Sequence, residues 1–115
     1  MAISLQHLDL AFFALSDRTR RKLLEQLSKG PARVSDLADG CSQSLPAISR
    51  HLKVLEEAGL LKFKKNAEDG RSKTCELRGE GLDEITRWIE TNRAAWEKRL
   101  DAMEKMLAEE LKEEK

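Results

Sequence analysis

Apolar residues near the start of the chain recur at helical spacing. They follow one another at intervals of three, four and three positions: Leu5, Leu8, Phe12 and Leu15. Such a stripe predicts an amphipathic helix over residues 5–15, because positions three or four apart lie on one helix face. Leu10 and Phe13 lie off the stripe. A helix with apolar residues on a second side packs against two neighbours, so we expect it to lie between the domain core and another subunit.

Capping residues and glycines predict two more helices. Ser16 is a suitable N-cap for the second helix, and Gly30 and Pro31 follow its end. Its buried face is predicted to comprise Leu23, Leu24 and Leu27. Ser35 is predicted to cap a short third helix that stops at Gly40.

A fourth helix has signals at both ends. Ser44 is its predicted N-cap, and Pro46 lies in the first turn, where a missing N–H costs nothing. Gly59 is the expected residue just past its end. The residues expected to face inward are Ile48, Leu52 and Leu55. The other side of this helix is therefore left for solvent or a partner.

After this helix the spacing of apolar residues changes from a period near 3.6 to a period of two. Residues 61–65 alternate apolar and basic side chains, and in residues 73–77 Cys75 and Leu77 fall on one face. Residues 66–70 between them contain turn-forming Asn, Asp and Gly. The pattern predicts a β-hairpin with basic residues at its tip and flank.

The last third of the chain predicts one long helix. From residue 82 to 111 no Gly or Pro interrupts, and apolar residues recur at three, four or seven positions. Such a helix would be roughly 45 Å long, more than a small domain covers on one side. We therefore expect the apolar stripe of this helix to pack against a second partner, and an identical helix from another subunit is the simplest one. The residues predicted for a homodimer interface are Leu5, Leu8, Phe12, Ile85, Ile89, Trp96, Leu100 and Met103.

From the length of the chain we expect a single function. Its 115 residues suit one domain, divided here into a front part over residues 1–80 and a dimerisation helix over residues 81–115, with no room for a separate catalytic domain. The net charge is zero, but residues 1–78 hold 14 Lys and Arg against 10 Asp and Glu, whereas residues 79–115 hold 7 against 11. The basic front is suited to phosphate groups.

The two cysteines and the absence of a long apolar run predict a cytoplasmic protein that does not cross a membrane. The apolar run near the start is short and is interrupted by Asp9, unlike a signal peptide. Cys41 and Cys75 lack CxxC spacing and are expected to be reduced thiols. Cys75 is predicted to be a small core residue. Cys41 precedes the fourth helix, which leaves a redox role open beside a structural one.

The order of elements is that of a helix-turn-helix followed by a wing, in a mostly α fold. The outward side of the fourth helix combines small, hydroxylic and cationic residues that suit a major groove, where Arg50 can donate two hydrogen bonds to a guanine. The hairpin adds cations for the DNA backbone. The predicted contacts to double-stranded DNA are Ser44, Ala47, Ser49, Arg50, His51, Lys53, Lys62, Lys64, Lys65, Arg71 and Lys73.

Three stretches carry a family resemblance: ALSDRTRRKLL (14–24), SLPAISRHLKVL (44–55) and AGLL (58–61). With them the chain resembles the ArsR-type bacterial regulators over roughly residues 8–90. The resemblance implies a winged-helix homodimer joined through its first and last helices. It also implies a repressor that an inducer releases from its operator.

The resemblance does not extend to the metal-sensing branch of this family. That branch carries Cys-x-Cys at the start of the helix before the recognition helix, which is the fourth helix here. The corresponding positions of this chain read Arg33-Val34-Ser35. Its other metal site needs a histidine on the last helix, and residues 82–111 contain none. We therefore expect no metal effector and no cofactor.

Two other classes of function are alternatives to a regulator. An enzyme is disfavoured because the chain has no glycine-rich phosphate loop, no nucleophile elbow and no HExxH motif. The stronger alternative is a winged helix that binds a protein partner and uses its long helix as an oligomerisation arm. Strong salt dependence of DNA binding would favour the regulator.

Overall fold

The computed structural model describes residues 5–65 and 73–113, and the side chains of all of these except Leu5. Arg71, one of the predicted DNA contacts, lies outside the described residues. Within these described ranges, five helices and three strands follow one another: α1 (Leu5–Leu15), α2 (Arg18–Leu27), β1 (Ala32–Arg33), α3 (Val34–Asp39), α4 (Leu45–Glu57), β2 (Leu61–Lys65), β3 (Lys73–Leu77) and α5 (Gly79–Glu113).

Two of the predicted helix caps are wrong by one or two residues. The N-cap of α2 is Asp17, whose carboxylate accepts the backbone N–H of Arg20 at 3.0 Å. Ser16 instead donates its hydroxyl back to the carbonyl of Phe13, at 2.6 Å. α3 begins after Arg33, which has no capping side chain, so Ser35 lies inside that helix. Its end at Gly40 is as predicted.

The predicted signals of α4 are confirmed at both ends. The Ser44 hydroxyl accepts the N–H of Ala47 at 3.3 Å. At the other end Gly59 adopts φ 75°, and Leu60 donates its N–H to the carbonyl of Leu55 at 3.0 Å. Together with the bond from the Gly59 N–H to the carbonyl of Glu56 (2.9 Å), this bond forms a Schellman motif, which turns the chain sharply from α4 into β2. The predicted inward residues are buried: Ile48, Leu52 and Leu55.

The hairpin strands match the prediction, and a third strand joins them. In the antiparallel sheet the order is β1-β3-β2. The hairpin register places Leu61 opposite Leu77 and Phe63 opposite Cys75. β1 has two residues and pairs Ala32 with Cys75. The sequence did not predict β1, because two residues are too few to show a period.

The core of the chain is built from α1 to α4 and one face of the sheet. Its fully buried side chains of largest volume are Leu23, Ile48, Leu52, Leu55, Leu60, Leu61 and Cys75. Two residues predicted for a subunit interface, Leu8 and Ile85, are buried within the chain itself, at 5% and 6% exposure. Leu8 is on the face of α1 that carries Ala11 and Ala14, whose small side chains allow close packing. Leu8 and Ile85 therefore offer little surface to a second subunit.

Two compact units are distinguished, Met1–Ile85 and Thr86–Lys115. α5 begins three residues before the predicted start at residue 82. Gly81 in its first turn is buried, and a Cβ there would lie 2.8 Å from the carbonyl carbon of Gly59. Contact this close requires glycine at position 81.

The unit Thr86–Lys115 is helical over its described residues and exposes its large apolar side chains. They are Trp88, Ile89, Trp96, Leu100, Met103, Met106, Leu107 and Leu111. Across the described ranges, no helix is long and apolar enough to cross a bilayer.

Candidate nucleic-acid interface

One flank of α4 faces the hairpin across a groove of 830 Å³. Ser49 and Lys53, both exposed, line it from α4, and three hairpin lysines line it from the other side. Those lysines are Lys64, Lys65 and Lys73. The structure thus brings five of the predicted DNA contacts to one groove. Arg33 also lines this groove and was not predicted, because only β1 brings it there.

The opposite flank of α4 carries three more of the predicted contacts. Ala47, Arg50 and His51 line a smaller pocket of 320 Å³. Arg50 is exposed, whereas Ala47 and His51 are half-buried. Arg20 of α2 lines the same pocket. The predicted residues of α4 therefore divide between two flanks, and Ser44 lies at its N-terminus as the cap.

Arg20 was missed by the sequence analysis. It is 8% exposed, although arginine is rarely buried. Its guanidinium donates to the carbonyls of Ala14 (2.7 Å) and Phe13 (3.0 Å), and its Nη1 lies 3.3 Å from Nδ1 of His51. The guanidinium carbon also lies 5.0 Å from the centre of the Phe13 ring. The signal for Arg20 was present in the string ALSDRTRRKLL, but four basic residues there are equivalent by pattern.

Two predicted wing contacts are paired within the chain. Lys62 Nζ lies 2.9 Å and Lys64 Nζ 3.4 Å from the same oxygen of Glu76. The register places Lys62 directly opposite Glu76. The hydrogen bond from Lys62 is the main reason why the pKa of the Glu76 carboxyl is lowered. One carboxylate therefore offsets part of the positive charge that was assigned to the hairpin.

Lys73 lies beside an aromatic ring in the same groove. Its ammonium is 5.8 Å from the centre of the Phe63 ring. An ammonium over an aromatic face is weakly attracted to the ring. Lys65 is exposed and also lines the groove. Lys65 at the end of β2 and Lys73 at the start of β3 thus lie opposite each other in the hairpin.

The turn between α3 and α4 is tied to α2. Gln43 donates from its side-chain amide to the Thr19 hydroxyl at 2.8 Å. Ser42 takes φ 52°, in the left-handed region that allows this tight connection. Cys41 in the same turn is half-buried, and its redox role stays a prediction. These contacts hold the start of α4 in place.

Cys75 is fully buried, as its predicted core role requires. Burial away from water raises the pKa of its thiol to about 11. The thiol therefore stays protonated near neutral pH, which suits a packing role. Among residues 5–65 and 73–113, no three His, Cys, Asp or Glu side chains converge to hold a metal ion.

Comparison with known proteins gives a matching domain and a matching structure. A helix-turn-helix domain family matches residues 15–62. The crystal structure of the ArsR family transcriptional regulator RHA00566 is 35% identical in sequence, with a TM-score of 0.76. The match covers 84% of this chain and 97% of that one. The predicted winged helix-turn-helix fold, with a hairpin wing and a long last helix, is confirmed.

Two characterised relatives match over a shorter stretch. The HTH-type transcriptional regulator Rv2034 of Mycobacterium tuberculosis is 49% identical over 53 residues, which are 46% of this chain and 50% of that protein. The transcriptional repressor SdpR of Bacillus subtilis is 42% identical over 50 residues, 44% of this chain and 56% of that protein. The chain thus matches about half the length of each of these two relatives.

Proposed function

Because the chain belongs to the ArsR family of transcriptional regulators, we propose that it binds a specific DNA sequence as a homodimer and represses transcription there. The comparisons identify a regulator and not an enzyme. The groove between α4 and the hairpin is the observation that carries the proposal. It places the hydroxyl of Ser49 beside the cationic groups of Lys53, Lys65 and Lys73. Double-stranded DNA offers both base edges and phosphates to such a set.

Each part of this surface has a separate role in the proposal. α4 enters the major groove, where Arg50 donates to a guanine edge and Ser49 approaches the bases. The hairpin lysines contact phosphates and add affinity without sequence preference. Ser44 and the bonds of the preceding turn hold α4 in the orientation that this requires.

The homodimer is proposed from apolar side chains exposed in the single chain. In the unit Thr86–Lys115, Trp96, Leu100, Met103 and Leu107 follow one another at spacings of four, three and four. That spacing forms a seam of the kind that pairs helices. α1 exposes Phe12 and Phe13. Apolar residues in this number indicate surfaces that a second copy covers.

A dimer would carry two copies of α4 and therefore two half-sites. Recognition helices about 34 Å apart reach successive major grooves on one side of the duplex, which favours an inverted repeat as operator. Occupation of that operator would block transcription, in line with the repressor among the relatives. Such a protein acts on the chromosome, so the proposal places it in the cytoplasm.

Fluorescence anisotropy tests the proposal directly. The full chain, kept reduced, is titrated onto DNA from upstream of its own gene and onto a scrambled duplex of the same composition, over a series of salt concentrations. We expect tight binding to the upstream DNA, weaker binding to the scrambled duplex, and a steep salt slope for both. Weak binding without sequence preference at every salt concentration would contradict the proposal and favour a protein partner for the winged helix.

A further inference from the structure

The Arg20 side chain connects α1 with α4, although Arg20 is not one of the proposed DNA contacts. Its Nε and Nη2 groups donate to the last carbonyls of α1, at Ala14 and Phe13. The last carbonyls of a helix have no partner within the helix, and the Phe13 carbonyl also accepts from Ser16. The Nη1 group points to His51, in the middle of α4. One buried cation thus connects the C-terminal end of α1 with the DNA-reading helix.

A hydrogen bond from Arg20 to His51 needs one particular tautomer of the His51 ring. An arginine has donors and no acceptor, and its guanidinium stays charged in proteins. A hydrogen bond at 3.3 Å between Nη1 and Nδ1 therefore requires Nδ1 to be without a proton. The proton of the neutral ring is then on Nε2. Asp17 Oδ2 lies 4.0 Å from the same Nδ1 and faces the pair from the start of α2.

We propose that Arg20 is a positioning residue for DNA recognition, which fixes α4 against the end of α1 through Nδ1 of His51. Arg20 would not touch the bases itself. Arg50 and His51 are neighbours in the chain and line the same pocket as Arg20, so a change in this contact changes where Arg50 points. The proposal rests on the proposed DNA-binding function, and it assigns sequence selectivity to a residue that is 8% exposed.

Arg21 provides a matched control for Arg20. It is the next residue in α2, and its Nη1 donates to the carbonyl of Leu15, also at the end of α1, at 2.8 Å. It is exposed and, within the described residues, makes no hydrogen bond or ion pair with α4. Lysine in place of either arginine keeps the charge and loses the forked geometry.

The first experiment compares Arg20→Lys with Arg21→Lys. For Arg20→Lys we expect about a tenfold loss of affinity for the upstream DNA and unchanged affinity for the scrambled duplex, since the total charge is the same. Arg21→Lys should bind both duplexes like the original chain. An equal loss in both variants would mean that capping of α1 is the whole effect and would overturn the proposal.

Two substitutions of His51 test the contact without removing Arg20. Asparagine places its amide oxygen where Nδ1 lies, whereas glutamine places its amide near Nε2. We expect His51→Asn to retain affinity for the upstream DNA within about threefold, and His51→Gln to lose about tenfold. The reverse order would mean that Nε2 contacts DNA directly, which overturns the positioning role.

Nitrogen-15 NMR of the histidine ring, recorded on the full chain without DNA, separates this proposal from the proposed function. We expect the Nε2-protonated tautomer of His51 at neutral pH, and its loss in Arg20→Lys. A proton on Nδ1 would overturn the Arg20 contact whatever the DNA measurements give. Failure of the original chain to select the upstream DNA, with the expected tautomer present, would instead count against the proposed function and with it the DNA role of Arg20.

Discussion

Single residues differ in what they are expected to contribute to DNA binding, and Arg50 is the one best suited to read a base. It is exposed on α4 and its guanidinium can bond to both acceptors of a guanine edge. Arg50→Ala is expected to weaken binding to the upstream DNA by about 1–3 kcal/mol, with a smaller effect on the scrambled duplex. Anisotropy measures both. Arg87→Ala, an exposed arginine in the other unit, is the control. Equal losses on the two duplexes would mean that Arg50 contacts a phosphate and not a base.

Asp17 is expected to make the stability of the chain depend on pH in the acid range. The hydrogen bond from the Arg20 N–H is the main cause that lowers the pKa of the Asp17 carboxyl below its usual 3.8, and the charge of Arg20 acts in the same direction. A carboxyl whose pKa is lower in the folded chain stabilises the fold above the unfolded value. That contribution is lost as the pH falls through the folded value.

Asp17→Asn isolates this charge, because asparagine is an equally good N-cap. We expect the original chain to be more stable than the variant at pH 7 by about 0.3–1 kcal/mol, a modest amount because the carboxylate is partly exposed. Urea unfolding at a series of pH values measures the difference. It should shrink below pH 4 and vanish once Asp17 is protonated. A difference that stays constant down to acid pH would show that the carboxylate charge is not the cause.

Among the elements, the hairpin has two lysines whose charge is partly neutralised by a carboxylate within the chain. Glu76 accepts from both Lys62 and Lys64. Glu76→Gln removes the carboxylate and makes both lysines available to phosphates. We expect tighter binding to both the upstream and the scrambled duplex, with a salt slope steeper by about 0.9 for each added phosphate contact.

The control for this variant is Glu25→Gln. It changes the net charge equally at an exposed residue of α2 that has no lysine within ion-pair distance among the described residues. An increase of equal size in both variants would assign the effect to net charge and not to the release of the two lysines.

The start of α5 is expected to be intolerant of any side chain at Gly81. A Cβ there would meet the carbonyl carbon of Gly59 at 2.8 Å, and a backbone group cannot rotate away. Gly81→Ala is expected to destabilise the chain by about 1–3 kcal/mol, as overpacking does. Gly79→Ala, two residues earlier and open to solvent, should be neutral or more stable by up to about 1 kcal/mol. Urea midpoints compare the two, and equal effects would contradict the close contact.

The sequence predicted most elements and their buried faces, because each has many residues in a regular period. It misplaced the caps of α2 and α3, since Ser16 and Asp17 are both good caps and only the hydrogen bond to Arg20 distinguishes them. The pairing of Lys62 with Glu76 was missed because it depends on the hairpin register. The Arg20 contact was missed for a similar reason, since its partner His51 is 31 positions away.

At the scale of the whole molecule, the exposed seam of the last helix predicts the oligomeric state. Leu100 lies in the middle of the seam and is 57% exposed in the single chain. Leu100→Glu would bury a charge in the proposed homodimer, so we expect it to shift the protein to monomers in sedimentation experiments. It should also reduce DNA binding, since one half-site then binds alone.

Lys98→Glu is the matched control for Leu100→Glu. Lys98 is exposed two residues earlier, on another side of the helix. We expect this variant to remain dimeric. If the Leu100→Glu variant still sediments as a dimer, the seam is not part of the interface, and α1 is the alternative surface.

The contact between Gly81 and Gly59 has a consequence for building chimeric regulators. The two glycines are far apart in the chain but in contact in the fold. Gly59 turns the chain after the end of α4, and Gly81 in the first turn of α5 makes room for that turn. A last helix transplanted from another winged-helix protein would fit here only if it carried glycine at the position of Gly81. Boundaries for exchanging helices should therefore be cut after residue 81, so that the pair is inherited together.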